Sequence, residues 1–299
     1  MAPQEGVPYK TARAFENALT ARIANAAATS PYGIPELRRQ FAYGRLLVRV
    51  FLHDPERWVL KGATGLLARI PGQARHSIDV DLYFDGEIEA AIDALREAAG
   101  LDLGDFFTFD IEQGSGLLGV TAGSQLRATA YLGDKVFETF RVDVVVTDTM
   151  TGEPELTPPI EPVEIPGLRS VPYRTHPVPD QIADKHAAMI DTYAGRPSTR
   201  YRDLVDLVLI ATTQVVEAGS LHAALVSEHH RRGTSPSAEL SLPSEDWHEG
   251  YRKIAVSVPG FGYLDASEAV EIVQRLVGPV LAGLTNGTWD PESLGWKSP

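Results

Sequence analysis

The chain contains no cysteine. Disulfides, thiolate metal sites and cysteine nucleophiles are excluded, and the absence fits a cytoplasmic protein. Any metal ion must then be held by Asp, Glu or His, a donor set that favours hard ions such as magnesium or manganese. Long apolar runs are also missing, so no transmembrane helix is expected. The first residues, Met-Ala-Pro-Gln-Glu-Gly, lack the basic stretch and apolar core of a secretory signal. Basic residues are in deficit: 27 Lys and Arg against 40 Asp and Glu leave a formal net charge of -13. Such a balance argues against a chain that coats nucleic acid nonspecifically. No internal repeat is present.

What is there suits one large domain or two ordinary ones: 299 residues, 43% apolar and 22% charged. The charge is uneven. From Leu37 to Ile78 stand Arg38, Arg39, Arg45, Arg49, Arg57, Lys61, Arg69 and Arg75, opposed by Asp54 and Glu56 alone. A local positive face of this kind can bind phosphates on a globally acidic protein. A solvated helix surface with ordinary ion pairs explains the same pattern equally well.

Apolar spacing predicts helices over residues 10–28 and from Pro35 to about Leu52, with Pro35 in the first turn. Trp58-Val59-Leu60 reads as a short buried strand ending at Lys61-Gly62-Ala63-Thr64-Gly65, and Leu66 to Ile70 as a short helix. Ser77 to Phe84 alternates, with Ile78, Val80 and Leu82 on one face and Ser77, Asp79, Asp81 and Tyr83 on the other. A helix over 87–99 precedes strand-like runs at Phe106–Ile111, Gln125–Leu132 and Val136–Val146, consistent with antiparallel hairpins. The segment from Thr147 to Pro179 is proline-rich and reads as a linker. Beyond it Pro179–Tyr193, Tyr201–Val216, Leu221–His230, Glu245–Val256 and Ala266–Leu284 read as helices, with a loop over 235–244. The expected architecture is an α/β N-terminal half and an all-helical C-terminal half.

The candidate chemistry centres on Asp79 and Asp81. Two residues apart on a strand, their carboxylates share a face with Cα atoms roughly 6 to 7 Å apart. One divalent ion, or a pair about 4 Å apart, could be reached by both; without a cation the like charges repel. A polar outer strand face explains the bare pair as well. Upstream, the strand ending in Gly62-Ala63-Thr64 and entering a helix lets backbone N–H groups approach phosphate oxygens. Downstream, Asp143 is a lone acid inside the β-branched run Phe140 to Val146, and a buried carboxylate needs a partner. A metal shared with Asp79 and Asp81 would be one; Arg141 or Arg75 would be another.

The ordered set Lys61-Gly62-Ala63-Thr64, then Arg75-His76-Ser77-Ile78-Asp79-Val80-Asp81, then Lys185 in Ala-Asp-Lys-His-Ala, then Arg202-Asp203-Leu204-Val205-Asp206-Leu207, resembles the AbiEii/AbiGii toxin family, which includes the MenT-like toxins. That family lies within the polymerase-β-like nucleotidyltransferase superfamily, and the resemblance spans about residues 35 to 285. One departure is Gly62-Ala63, where the superfamily usually has Gly-Gly or Gly-Ser.

The resemblance implies an α+β fold: a polymerase-β-like mixed sheet with flanking helices over 1–165, then an α-helical domain over 166–299 that completes the active-site cleft. It implies a nucleotidyltransferase moving a nucleoside monophosphate from an NTP, preferably a pyrimidine nucleotide, to RNA, with the tRNA 3′ end as acceptor. Magnesium or manganese is the implied cofactor, and a cognate antitoxin the implied partner of a toxin–antitoxin or phage-defence module. In that scheme Asp79, Asp81 and Asp143 hold metal, and Asp143 is also a candidate general base. Ser77, Lys61, Gly62, Ala63 and Arg75 contact phosphates, Lys185 neutralises the leaving pyrophosphate, and Asp203 positions Lys185 or meets the nucleotide.

Bland readings stand beside these. Lys185 alone reads as an exposed helix lysine, and Asp203 and Asp206, three apart on one helical face, as surface partners of Arg196, Arg200 or Arg202. Arg69 and Arg75 either flank the phosphate site or pair with the acids from Asp79 to Glu89. His229-His230-Arg231-Arg232 reads as a polar helix C-terminus or an RNA grip. His76 reads as a solvent-facing loop residue and the Trp residues as anchors. A phosphate on Ser77 would place about 1.5 to 2 negative charges beside Asp79 and oppose triphosphate binding. Transfer to a small molecule or protein hydroxyl, and an inactive nucleotide- or antitoxin-binding module, are the competing functions.

Overall fold

A computed structural model describes residues 7–117, 123–146, 150–193, 195–234 and 239–298. The opening hexapeptide, Thr147 at the head of the expected linker, and residues 235–238 of the expected loop lie outside it. The chain divides into two compact units. One is drawn from Met1–Gly72, His76–Asp148 and Glu155–Thr175, the other from Gln73–Arg75, Thr149–Pro154 and His176–Pro299.

The first unit is built on a seven-stranded mixed sheet. Its strands are β1 (Trp58–Lys61), β2 (Asp79–Phe84), β3 (Phe107–Leu117), β4 (Gly123–Leu132), β5 (Lys135–Val145), β6 (Glu155–Thr157) and β7 (Tyr173–Thr175), in the order β3-β4-β5-β2-β1-β7-β6. The hairpins β3-β4-β5 are antiparallel, while β2 runs parallel to β5 and antiparallel to β1. Strict alternation in β2 buries Val80, Leu82 and Phe84 and leaves Asp79, Asp81 and Tyr83 half-buried on the opposite face. Ile78, expected with the apolar set, precedes the strand and is exposed.

The helices of this unit are α1 (Ala12–Ala27), α2 (Ile34–His53), α3 (Gly62–Arg69) and α4 (Ile88–Ala99). Pro35 sits in the first turn of α2, and the Glu36 carboxylate accepts the Gly33 amide at 2.6 Å, closing the N-terminus. The second half of α2 is buried all round, with Phe41, Leu46, Leu47, Val50 and Phe51 in the core. Two arginines share that core. Arg45 and Arg49 both bond Asp105 (2.8 and 2.7 Å), and Arg49 also donates to the Leu101 carbonyl. Burial alone would raise the Asp105 carboxyl, but the two guanidinium groups hold it below the ordinary carboxylate value.

That triad decides much of the basic stretch. Arg38 donates to the Phe137 carbonyl and lies over its ring, Arg39 pairs with Glu138, Arg57 with Asp54, and Arg69 with Glu155. Contacts within the fold, ion pairs for all but Arg38, account for these residues and leave no open positive face from them. The proline-rich segment likewise holds more than a linker, since β6 and β7 are strands of the main sheet.

The second unit is helical, as expected: α5 (Val178–Ile190), α6 (Tyr201–Thr213), α7 (Ala218–Arg232), α8 (Trp247–Ala255) and α9 (Ala266–Leu281). Helix α6 is its centre, buried from Asp203 to Ala211. Trp247 and Trp289 anchor the packing, their indole N–H groups donating to the carbonyls of Ser198 and Ala211 at 2.8 and 2.7 Å. The reading of an all-helical half overlooked a hairpin, β8 (Thr192–Tyr193) with β9 (Arg196–Pro197), and a small sheet of β10 (Val216–Glu217), β11 (Thr288–Asp290) and β12 (Gly295–Lys297). Strands of two or three residues carry too few alternations to be read from pattern. Among the described residues no helix is long and apolar enough to cross a membrane.

Candidate active site

In the first unit the acids meet on one sheet face. Asp81 of β2 lies directly opposite Asp143 of β5, and Asp79 opposite Arg141. Parallel neighbours in register point their side chains to the same side, so the three carboxylates occupy two adjacent rows. On the far side of β2, Lys61 stands opposite Asp81 at the end of β1. The next residue, Gly62, has a φ of 61°, and a Cβ added there would collide with the Asp81 carboxylate. Only glycine permits both the left-handed backbone and that close approach.

Helix α3 starts at Gly62 itself, four residues earlier than expected. Its first-turn amides therefore stand at the end of β1 beside Asp81, a helix N-terminus suited to phosphate oxygens. The Thr64 hydroxyl donates to the Asp79 carbonyl at 2.6 Å and ties this turn to β2.

Each carboxylate has a defined neighbour. Ser77, buried, donates its hydroxyl to Asp79 Oδ1 at 2.8 Å, and Arg141 reaches Asp79 Oδ2 at 3.4 Å. The Tyr43 hydroxyl donates to the Ser77 carbonyl at 3.1 Å, and the His76 ring lies parallel to that of Tyr43. His76 is thus half-buried against an aromatic ring and not a solvent-facing loop residue. Gln125 of β4 donates to Asp143 Oδ1 at 3.1 Å. Burial, helped by the charge of Asp79, pushes the Asp143 carboxyl above its ordinary value against the opposing effect of Gln125 and Arg141.

Such a cluster gains from a cation. All three donors are carboxylate oxygens, the chemistry that magnesium and manganese prefer, and they share one face. Among the described residues no three acidic or histidine side chains already converge as a ready-made cage. Asp79 faces Ser77 and Arg141, and Asp143 faces Gln125. The donor set suits a divalent ion in type and lies on one face, while Asp79 and Asp143 point to these partners and not to a common centre.

The second unit carries its own polar cluster. Lys185 of α5, only 5% exposed, donates to Asp203 Oδ1 at 3.1 Å and to Asp206 Oδ2 at 2.6 Å. Arg75 grips Asp206 through Nε and Nη2, both at 2.9 Å, and Arg200 pairs with Asp203. Lys185 is therefore no exposed helix lysine, and Asp206, fully buried, no helix-surface acid. Burial works against both charges, yet Arg75 and Lys185 hold the Asp206 carboxyl below its ordinary value, and Asp206 and Asp203 raise the Lys185 ammonium above its own. Three cations, Arg75, Lys185 and Arg200, thus face the two carboxylates.

Arg231 and Arg232 at the end of α7 pair with Glu228, and Arg232 also with Asp184, which makes this stretch a helix C-terminus with internal partners. Sequence reading missed Gln125, Thr64 and the burial of Asp206. Thr64 lay within the Gly-Ala-Thr turn; nothing local marks Gln125, which is brought to Asp143 only by the register of β4 on β5.

The family model for the nucleotidyl transferase AbiEii toxin of type IV toxin–antitoxin systems matches residues 45–271. No curated protein matches the chain. Among solved structures, MenT4, a nucleotidyltransferase toxin from Mycobacterium tuberculosis H37Rv, superposes with a TM-score of 0.57 at 17% identity, covering 89% of this chain and 90% of its own. JHP933 from Helicobacter pylori covers 83% of this chain and 94% of its own at 16% identity, but its TM-score of 0.45 is too low to argue from. The MenT4 likeness bears on the fold, and the family match spans the sheet carboxylates and the helical lysine cluster alike. The chain belongs to the AbiEii family of nucleotidyltransferase toxins.

Proposed function

We propose that this nucleotidyltransferase transfers a nucleoside monophosphate from an NTP, by preference a pyrimidine nucleotide, to the 3′ end of an RNA, tRNA being the favoured acceptor. The observation that carries the reading is the placement of Asp79, Asp81 and Asp143 on one sheet face beside a glycine turn pressed against Asp81. A divalent ion held by these carboxylates would neutralise the triphosphate and polarise the α-phosphorus.

The chain's own residues do the remainder. The first-turn amides of α3, with Lys61 and Ala63 beside them, bind the phosphates. Ser77 orients Asp79 through its hydroxyl. Asp143 accepts the proton of the acceptor hydroxyl as the hydroxyl oxygen bonds the α-phosphorus; the bond from that phosphorus to the α–β bridging oxygen breaks, and pyrophosphate leaves. Lys185, held by Asp203 and Asp206, is assigned to neutralising phosphate charge, with Arg75 supporting it through Asp206. Family membership supports a cognate antitoxin as partner.

The test is incubation of the protein with each labelled NTP, magnesium and total RNA. Label on tRNA with one pyrimidine nucleotide is the expected result. Label confined to protein or small molecules overturns the RNA acceptor. No label anywhere, with Asp79→Ala as toxic on expression as the wild type, overturns the catalytic reading.

A further inference from the structure

The register of the sheet places Arg127 of β4 directly opposite Arg141 of β5. Both are exposed, and like charges facing each other across a strand pair are destabilising. Glu112 of β3 is in register with Arg127 but makes no ion pair with it, and among the described residues Arg127 has no side-chain hydrogen bond or salt bridge. Arg141 has a single ion pair, the long contact to Asp79 at 3.4 Å. A divalent ion drawing on Asp79 would weaken that contact, the one ion pair that either guanidinium group makes among the described residues.

Their position distinguishes two sources of phosphate. Across the sheet the rows run Arg127, Arg141 and Asp79, and beside them Gln125, Asp143, Asp81 and Lys61. The glycine turn and the start of α3, suited to a triphosphate, lie on the β1 side of the carboxylates. The arginine pair lies on the opposite side, toward β4, next to Asp143, the residue assigned to the acceptor hydroxyl. We propose that Arg127 and Arg141 form a binding site for phosphodiester groups of the incoming RNA strand, holding its 3′ end against Asp143. The proposal rests on the RNA-acceptor reading given above. Guanidinium forks suit phosphate oxygens, and such contacts position a strand without reading its sequence.

The experiment titrates the full-length protein with a fluorescent single-stranded oligoribonucleotide ending in CCA, across a salt series, without NTP. The variants are Arg127→Gln, Arg127→Lys and the double variant Arg127→Gln/Arg141→Gln. Affinity at low salt should fall roughly threefold to fivefold for Arg127→Gln and further for the double variant. Each lost phosphate contact should flatten the slope of log affinity against log salt by about 0.7, whereas Arg127→Lys keeps the slope. Binding of a fluorescent NTP with magnesium, measured in parallel, should be unchanged in Arg127→Gln. RNA affinity and slope equal to wild type in the double variant overturn the proposal, as does a loss confined to NTP binding, which would assign the pair to the triphosphate. A wild-type protein that neither binds nor labels RNA overturns the acceptor reading, and this site with it. Labelling of RNA by a wild type whose variants bind normally overturns the site alone.

Discussion

Removing Asp206 should damage the helical unit far more than removing Lys185, although the two side chains touch. Asp206 is fully buried between Arg75 and Lys185, and its loss leaves both cations to share what Asp203 can offer. Breaking a buried pair from one side typically costs about 3 to 5 kcal/mol, because a charge is left buried without compensation. Lys185→Met is a different perturbation. Each carboxylate keeps an arginine, Asp206 with Arg75 and Asp203 with Arg200, and the methionine refills most of the apolar stem. It loses two charged hydrogen bonds but also the cost of burying an ammonium group, so the net loss should be about 1 to 2 kcal/mol.

Urea unfolding reads the difference, followed by tryptophan fluorescence, to which Trp247, Trp289 and Trp296 contribute from this unit. With a slope of about 2 kcal/mol per molar, Asp206→Ala should lower the midpoint by roughly 2 M and Lys185→Met by less than 1 M. The pH dependence has a definite sign. The native Asp206 carboxyl titrates below its ordinary value, so near pH 4 the unfolded chain binds more protons than the native one. The stabilisation it supplies is therefore complete above the ordinary carboxylate range and is lost as pH falls through the depressed native value. The gap between wild type and Asp206→Ala should be constant from about pH 5 to 8 and close in acid. Equal losses for the two variants at pH 7 would refute the charge accounting. The ranking also matters for activity: a growth assay on Lys185→Met tests chemistry in a largely folded protein, whereas Asp206→Ala mixes chemistry with unfolding.

Gly62→Val should abolish transfer, because the side chain collides with the Asp81 carboxylate and the left-handed φ of 61° costs a β-branched residue about 1 to 2 kcal/mol; activity and thermal midpoint near wild type would show that the turn tolerates displacement. Asp143→Asn should remove activity while modestly raising stability near neutral pH. Burial and Asp79 raise the native Asp143 carboxyl, so its ionisation costs stability as pH rises past the unfolded value. The gain should vanish below about pH 4, and a destabilised Asn variant at pH 7 would contradict this.

What could be read from the sequence follows the range of the interactions involved. Alternation in β2 exposes Asp79 and Asp81 together because a strand has a period of two, and a lone acid among Val142, Val144 and Val145 stands out by composition. The partners of those acids are another matter. Gln125 meets Asp143, and Arg127 meets Arg141, only through register across a hairpin, and no local pattern encodes it. Charge counting erred for the same reason. The conspicuous basic stretch before residue 78 is mostly consumed by Asp54, Asp105, Glu138, Glu155 and Asp206, partners that lie anywhere from three to 131 residues away. Two exposed arginines that no scan of net charge would select face each other beside the carboxylates, with the long Arg141–Asp79 contact as their ion pair. Lys185 failed in the opposite direction, since a lysine on a helix reads as solvated until its two carboxylates are known to be buried with it. Charge in this protein acquires meaning only after pairing is considered, as Asp206 held between Arg75 and Lys185 and the arginine pair on the β4 side of Asp143 show in opposite ways.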